Sequence, residues 1–334
     1  MNRRQFAAGT LGVYASINIV RAPARAAQFS YKFSSDVAAE HPTNTRGKQI
    51  FDEIKQQTGG RLEIGVFPNN ILGGASAVFT QVRSGAVQFM MALDGIVASV
   101  APVAAIPGVG FAFKDTQQAF AAFDGPLGAY VNKEILAKGL YCFDRPFLNG
   151  MRQITSSVKP IADVADVEGL KIRTPPNKLA VDLFRTLGAS PPPMNFTELY
   201  TALQSHIVDA QENPVAIIEV ARLYEVQKFL SVTNHMWSAE FLIGNADAWA
   251  ALPTDIQEIC RTGFAKYLML ERNDVAKLND TLTEQLGKQG MAVNTIADPA
   301  AFRAKLAPFY ARWKAEFGTT AWDLLESGSG TKLA

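Results

Sequence analysis

Residues 169–180 read GLKIRTPPNKLA. Leu170 and Ile172 alternate with Lys171 and Arg173, the period-two pattern of a strand with one buried face. Thr174 and two prolines then end the strand, since proline has no N–H to give to a ladder. Leu179, Ala180, Leu183 and Phe184 follow at helical spacing, and Gly188 closes the helix. Strand, sharp turn and helix form the repeating unit of an α/β fold. The same unit leaves Arg173 at the carboxyl end of a strand, where open α/β sheets bind their ligands.

The rhythm extends in both directions. Phe29, Tyr31 and Phe33 alternate with polar neighbours. A helix starts after His41-Pro42, carries Ile50, Phe51 and Ile54, and stops at Gly59-Gly60. Leu62, Ile64 and Val66 alternate again, a helix is expected over about 75–84, and VQFMMAL (87–93) reads as a buried parallel strand. A largely parallel sheet follows from that order. The pattern restarts after about residue 140 with the strand-like LYCFDRPFLNGMRQIT, so two α/β units are expected. Asn195 with Glu198 reads as a capping pair for FTELYTALQSHIVD, and Thr254 with Gln257 as a capping box behind Pro253. From Thr254 to Gly290 there is no proline, and Ile256, Cys260, Phe264, Tyr267, Leu268, Val275, Leu282 and Leu286 recur at steps of mostly three and four. One helix of about 35 residues, about 50 Å long, would outspan a small domain and brace two.

The chain has 334 residues and a formal charge of +1, which argues against nucleic acid as a partner. Its first segment, MNRRQFAAGTLGVYASINIVRAPARAA, has a basic start, an apolar run too short to span a membrane, and Ala24-Arg25-Ala26 before Ala27. Residues 1–26 are expected to be an export signal, with Arg3-Arg4-Gln5-Phe6 of the twin-arginine kind. Without it the chain carries 28 basic and 31 acidic residues, a charge of −3. Cys142 and Cys260 are the only cysteines; export permits a bridge, and buried free thiols are the equal alternative.

Enzyme signatures are missing. His41, His206 and His235 form no zinc pattern, no Gly-x-Ser-x-Gly elbow occurs, and Phe113 stands where a dinucleotide fingerprint needs its third glycine. What remains is polar residues in odd places. Arg173 ends one strand, Arg152 sits inside another in FLNGMRQIT, and Asn213 lies between a helix and a proline in VDAQENP. Two arginines and an amide converging beyond strand ends would bind an anion, and the arginine fork suits a carboxylate. The plain alternative is pairing with acids such as Asp166 or Glu212.

GLKIRTPP, MNFTELYTALQSHIVDAQENP, FLSVTNHMWS and WAALPTDIQE together resemble the periplasmic solute-binding proteins of TRAP (tripartite ATP-independent periplasmic) transporters. The resemblance implies a two-lobed α/β fold with a cleft between the lobes, crossing strands and a long bracing helix. It places lobe I at 27–149 plus about 239–275 and lobe II at 150–238 plus about 276–334. It further implies a periplasmic receptor, not an enzyme, that binds an organic acid and delivers it to a membrane permease; no cofactor is implied, and a monomer is the default. A ligand sensor for a signalling partner and a periplasmic enzyme are the alternatives. The position of Arg173 implies a bidentate salt bridge to the ligand carboxylate, with Arg152 on the same side, Asn213 hydrogen-bonding the ligand and Phe196 packing on it. Asp94 and His41 are candidates from the other lobe. Trp237, with Phe196 and Phe111, would make the pocket apolar and favour an aromatic or branched oxo acid over a sugar acid. No acidic cluster calls for a metal.

Overall fold

The structure is a computed structural model that describes residues 27–333; the expected export signal lies outside the described residues. The first half runs β1 (Phe29–Ser34), α1 (Pro42–Gln57), β2 (Leu62–Phe67), α2 (Ala75–Ser84), β3 (Phe89–Leu93), α3 (Asp94–Val97), α4 (Thr116–Phe123), α5 (Pro126–Leu136) and β4 (Leu140–Cys142). The second runs β5 (Phe147–Ser156), β6 (Ile172–Arg173), α6 (Lys178–Thr186), α7 (Phe196–Gln204), β7 (Ala210–Asn213) and α8 (Val215–Val220). Then come β8 (Phe229–Asn245), α9 (Ala246–Ala250), α10 (Thr254–Lys288), β9 (Ala292–Thr295), α11 (Pro299–Lys305), α12 (Ala307–Phe317) and α13 (Thr319–Ser329).

The strands form one sheet in the order β2-β1-β3-β8-β5-β7-β6, with β4 and β9 also on β8. β1 is parallel to β2 and β3, and β6 is parallel to β7. The expected parallel pairing is thus confined to the two flanks and to β9, which runs parallel to the start of β8. The strands between them, β5 and β8, run antiparallel to each other and to β7 and β3. β8 is 17 residues long because it belongs to both halves: its start pairs with β9 and its end with β3 and β4. β5 crosses beside it, with register shifts between Leu148 and Gly150 and between Arg152 and Ile154. Such bulges bend and twist a strand. Gly150 at the first has φ +135°, and a methyl there would lie 2.6 Å from Asn279 Nδ2; only glycine takes that backbone freely.

The bracing helix is the 35-residue α10. Its first turns bury Ile256, Cys260, Phe264 and Tyr267 against α1 and the β1–β3 flank, and its last bury Leu282 and Leu286 against α7 and α8. Its start departs from the expected capping box. Pro253 occupies the cap without a side-chain bond, and Gln257 Nε2 instead donates to Trp249 O and Leu252 O, both at 3.0 Å. Asn195 does cap α7, but its side chain meets Glu198 Oε1 at 3.3 Å and not the backbone. The C-terminal helices lean on both halves: Arg312 of α12 pairs with Asp182 of α6, while α13 lies on α4, where Gln118 Nε2 donates to Ser329 O. Cys142 and Cys260 are buried and unbridged. Among the described residues no helix is long and apolar enough to cross a membrane.

Candidate functional site

β6 is only two residues long because Pro175 and Pro176 follow it, and its last residue is Arg173. The side chain is 2% exposed. Nε and Nη2 both donate to Met194 O, at 3.0 and 2.7 Å, and the guanidinium carbon stands 6.0 Å from the centre of the Phe196 ring. Phe196 is the first residue of α7 and half-buried. Among the described residues, no acid lies within ion-pairing distance of Arg173, Asp166 included: that carboxylate caps its own turn at Ala162 and Asp163. Burial lowers the Arg173 pKa to about 10, partly opposed by the nearby Glu212, so the group is still a cation at neutral pH.

Arg152 is different. Its Nε and Nη2 grip both carboxylate oxygens of Glu212, Nη2 also reaches Glu212 O at 2.7 Å and Asn213 Oδ1 at 3.2 Å, and Nη1 reaches Ser238 Oγ at 3.3 Å. The acid partner weighed for it in the sequence is the one it has. Both members of the pair are buried. Burial alone would raise the Glu212 carboxyl, but Arg152 and His235 outweigh it and hold it below the usual range. His235 Nε2 lies 3.4 Å from Glu212 Oε2, and its ring packs on Phe184. Asn213 is oriented from two sides, accepting from Arg152 and donating through Nδ2 to Gln211 Oε1 at 2.6 Å.

Arg152, Glu212, Asn213 and Phe196 border two small adjoining cavities, about 10 and about 20 Å³, that share Leu93; Arg173 and His235 line neither. One is lined by Asp94, Arg152, Glu212, Asn177, Met236 and Ser238; the other by Asp36, Asn149, Phe196, Asn213, Ile217 and Glu240. Each holds a water at most. The two halves press together around them: a methyl on Gly95 would stand 2.5 Å from Asn177 Cβ, and one on Gly74 would stand 3.4 Å from Asn195.

Asp94 therefore belongs to the cleft. Its Oδ1 accepts from Gly95 N, its Oδ2 is buried without a partner, and burial, opposed by Arg152, lifts its pKa to about 7. His41 lines neither cavity. It caps α1, with Nδ1 accepting from Thr43 N at 3.3 Å and Nε2 buried and unpaired, and burial pushes its pKa down to about 4. Trp237 is turned away. Its neighbours Met236 and Ser238 line the cleft, so strand alternation puts Trp237 on the opposite face. There it is packed among Phe113, Phe120 and Phe123 at ring distances of 6.2, 5.7 and 5.3 Å. Phe111 likewise packs on Phe302. Neither Trp237 nor Phe111 reaches the cleft, whose walls set Asp94, Asn177, Glu212 and Glu240 among apolar Leu93, Ile96, Pro175, Met236 and Ile217. Sequence reasoning missed Glu240, Asn149, Asn177 and Ser238. An acid in the apolar run AEFLIG was the one available signal, since a lone buried charge needs a reason. Among the described residues no group of three or more His, Cys, Asp or Glu side chains could hold a metal ion.

A profile of "Bacterial extracellular solute-binding protein, family 7" matches residues 33–316. The 2,3-diketo-L-gulonate-binding periplasmic protein YiaO of Escherichia coli (strain K12) is 32% identical over 273 residues, 82% of this chain and 83% of that one. A TRAP periplasmic solute-binding protein of Polaromonas sp. JS666, solved with D-erythronate, superposes with a TM-score of 0.86 at 31% identity, covering 92% of this chain and 100% of that one. The sugar acid binding protein of Advenella mimigardefordensis, solved with galactonate, does so with a TM-score of 0.86 at 26% identity, covering 90% and 97%.

Proposed function

The chain belongs to family 7 of the bacterial extracellular solute-binding proteins, receptors and not enzymes, and from that premise we propose that it binds an organic acid between its lobes. It does so in the periplasm, as a monomer, and delivers the acid to a TRAP membrane permease. The lobes divide as 27–149 with about 239–275, and 150–238 with about 276–334, with α13 leaning back on the first.

Arg173 carries the reading. It is a buried cation without an acid, held at one edge by Met194 O and backed by Phe196, at the carboxyl end of a strand. A ligand carboxylate is the partner such a group lacks, and excluding water around the pair strengthens the attraction. Arg152, already neutralised by Glu212, serves to aim Asn213 and Ser238. D-erythronate, galactonate and 2,3-diketo-L-gulonate, which the relatives bind, are all carboxylates and support the assignment. The cavities are far smaller than a ligand site of about 300 Å³ or more, so the lobes open by a hinge to admit the acid.

The test is a thermal-shift screen of the mature protein, unfolded and refolded to strip carried-over ligand, followed by calorimetry of any hit. At 100 times its dissociation constant a ligand stabilises by about 2.7 kcal/mol. The hit should be lost with the matching amide, and Arg173→Ala should cost about 3 kcal/mol or more of binding. Unchanged affinity in that variant would remove Arg173 from the site.

A further inference from the structure

We propose that the groove behind the crossing strands is a second control point of the receptor: its walls must close up for the ligand cleft to open, so whatever fills it holds the lobes shut. This rests on the reading that the lobes part by bending at β5 and β8, and it names a surface outside the cleft that sets the opening.

The groove is about 390 Å³, against about 10 and about 20 Å³ left in the cleft. Met151 and Gln153 of β5 line it, on either side of Arg152, which lines the cleft. Strand alternation therefore sets groove and cleft on opposite faces of β5. The register agrees, because Met151 pairs with Trp237, whose ring also lies away from the cleft. One wall is Lys114, Asp115, Thr116 and Gln117, at the start of α4; the other is Asn279, Asp280 and Thr283, near the end of α10. The two walls belong to different lobes in the division above. Among the described residues no hydrogen bond or ion pair joins them: Lys114 faces Asp115, Asp115 caps α4, and Asn279 turns to Asn149 O and Ala216 N. Halves that pivot on β5 and β8 move in opposite senses on the two sides. As they separate at the cleft, they converge at the groove.

The floor between them is built to bend. Arg152 pairs with Met236 and Ile154 with Ser231, so residues 232–235 of β8 stand against Gln153 alone. The Gln153 side chain takes the place of the missing ladder. Its Oε1 accepts from Thr233 N at 2.8 Å and Asn234 N at 3.0 Å, and its Nε2 donates to Asn234 Oδ1 at 2.7 Å and Met151 O at 3.1 Å. Before this loop β8 pairs with β9, and after it with β3. A few residues that absorb a backbone change at such a junction make a hinge. Asn234 reaches φ +44° there and lines the groove, so the hinge faces open space on the side where the lobes converge. A bulky group in that space meets the converging walls only in the open state, which shifts the equilibrium toward the closed one.

The experiment measures opening without any ligand. Spin labels on Ser76→Cys and Thr201→Cys, exposed positions of α2 and α7 near the contact between Gly74 and Asn195, report the gap between the lobes. Cys142 and Cys260 are buried, so the labels go to the introduced pair. Pulsed electron spin resonance on the refolded mature protein should show a gap longer than that of the closed structure. Thr116→Trp and Thr283→Trp fill the groove from its two walls, and neither threonine makes a side-chain hydrogen bond among the described residues. Together they should lower the open-to-closed ratio about tenfold. Lys277→Trp, exposed on the same helix and outside the groove, should open as wild type does. Melting temperatures confirm that the variants fold. Full opening in the folded groove variant, or an equal loss of opening in Lys277→Trp, overturns the control point and leaves the hinge standing. If the ligand-free wild type shows only the closed gap, the hinge itself fails and the control point falls with it.

Discussion

Replacing Glu271 by glutamine should remove one separable share of a pH dependence set by several buried acids. Glu271 sits in the middle of α10, fully buried. Its Oε2 accepts from Leu148 N at 3.1 Å and its Oε1 faces Thr43 Oγ1 at 3.5 Å. Glu240, Tyr267 and Asp274 surround it, and the adjoining Arg272 is spent on Asp124 and Pro146 O. Burial lifts its pKa from 4.5 to about 8, against the opposing pull of the Leu148 N–H, Arg272 and Thr43. An acid with a raised folded pKa holds more protons in the native than in the unfolded state between those two values. Stability therefore falls as pH rises through that window, by about 1.4 kcal/mol per unit for one group. From pH 5 to pH 8 Glu271 alone should cost about 4 kcal/mol. Asp94 acts in the same direction up to about pH 7, and Glu240 shares its sign. His41 acts oppositely: its lowered pKa makes stability fall as pH drops from 6.5 toward about 4. Urea unfolding of wild type and Glu271→Gln at pH 5, 6, 7 and 8 isolates the one group. The variant should gain on wild type by about 4 kcal/mol across that range, since an amide keeps the acceptor for Leu148 and never ionises. Parallel curves would refute the buried neutral acid.

Three other outcomes follow from single contacts. Arg152→Ala leaves Glu212 buried without its partner, and urea unfolding should register a loss of about 3–5 kcal/mol; a loss under 1 kcal/mol would mean the pair is solvated. Gly95→Ala drives a methyl into Asn177 where the lobes meet, so calorimetry with the acid found by screening should show affinity at least tenfold weaker. Its ligand-free melting temperature should hold, and undiminished affinity would mean the lobes do not close on that contact. Reductant should leave the melting temperature unchanged, since Cys142 and Cys260 are free, with thiols pushed up to about 12 by burial; a drop in melting temperature would reveal a bridge.

Much of this was legible in the sequence where the signal is local. α2 and α10 fall on the expected residues because apolar spacing and the absence of proline speak for themselves. The sheet's direction was not legible. Alternation in FLNGMRQIT and FLSVTNHMWS marks strands but does not say which strand lies alongside, and β5 and β8 turned out to cross between halves. The same limit governs the site. Arg173, Arg152 and Asn213 stood out because each ends or interrupts a pattern, whereas Asp94 came only with the resemblance. Trp237 was misread because the face on which a residue lies depends on register, and a shift of one residue reverses every side chain. The direction of Ser238 and Met236 decides it, and only the pairing with β5 fixes theirs. Thr254 failed as a cap because Pro253 already supplies the carbonyl for Gln257 N, leaving Gln257's side chain to Trp249 and Leu252.

The polar residues of α10 explain why a brace is needed where two strands cross. A long apolar helix would cover both lobes without fixing their angle. Instead Glu271 holds Leu148 N, Arg272 holds Pro146 O, and Asn279, two turns on, donates to Asn149 O at 3.3 Å. All three grip residues 146–149, the entry of β5 into the crossing, and the Asn149 side chain lines the cleft. Asn279 also accepts from Ala216 N of α8, so the same amide ties β5 to the second half. Glu240 meets this grip from the cleft side through Thr43 and the Glu271 carboxyl. Beyond residue 149 the helix hold ends and the bulges at Gly150 and Arg152 begin. Strand pairing is already broken there, and Glu240, the partner of Phe147, sits just before the first break.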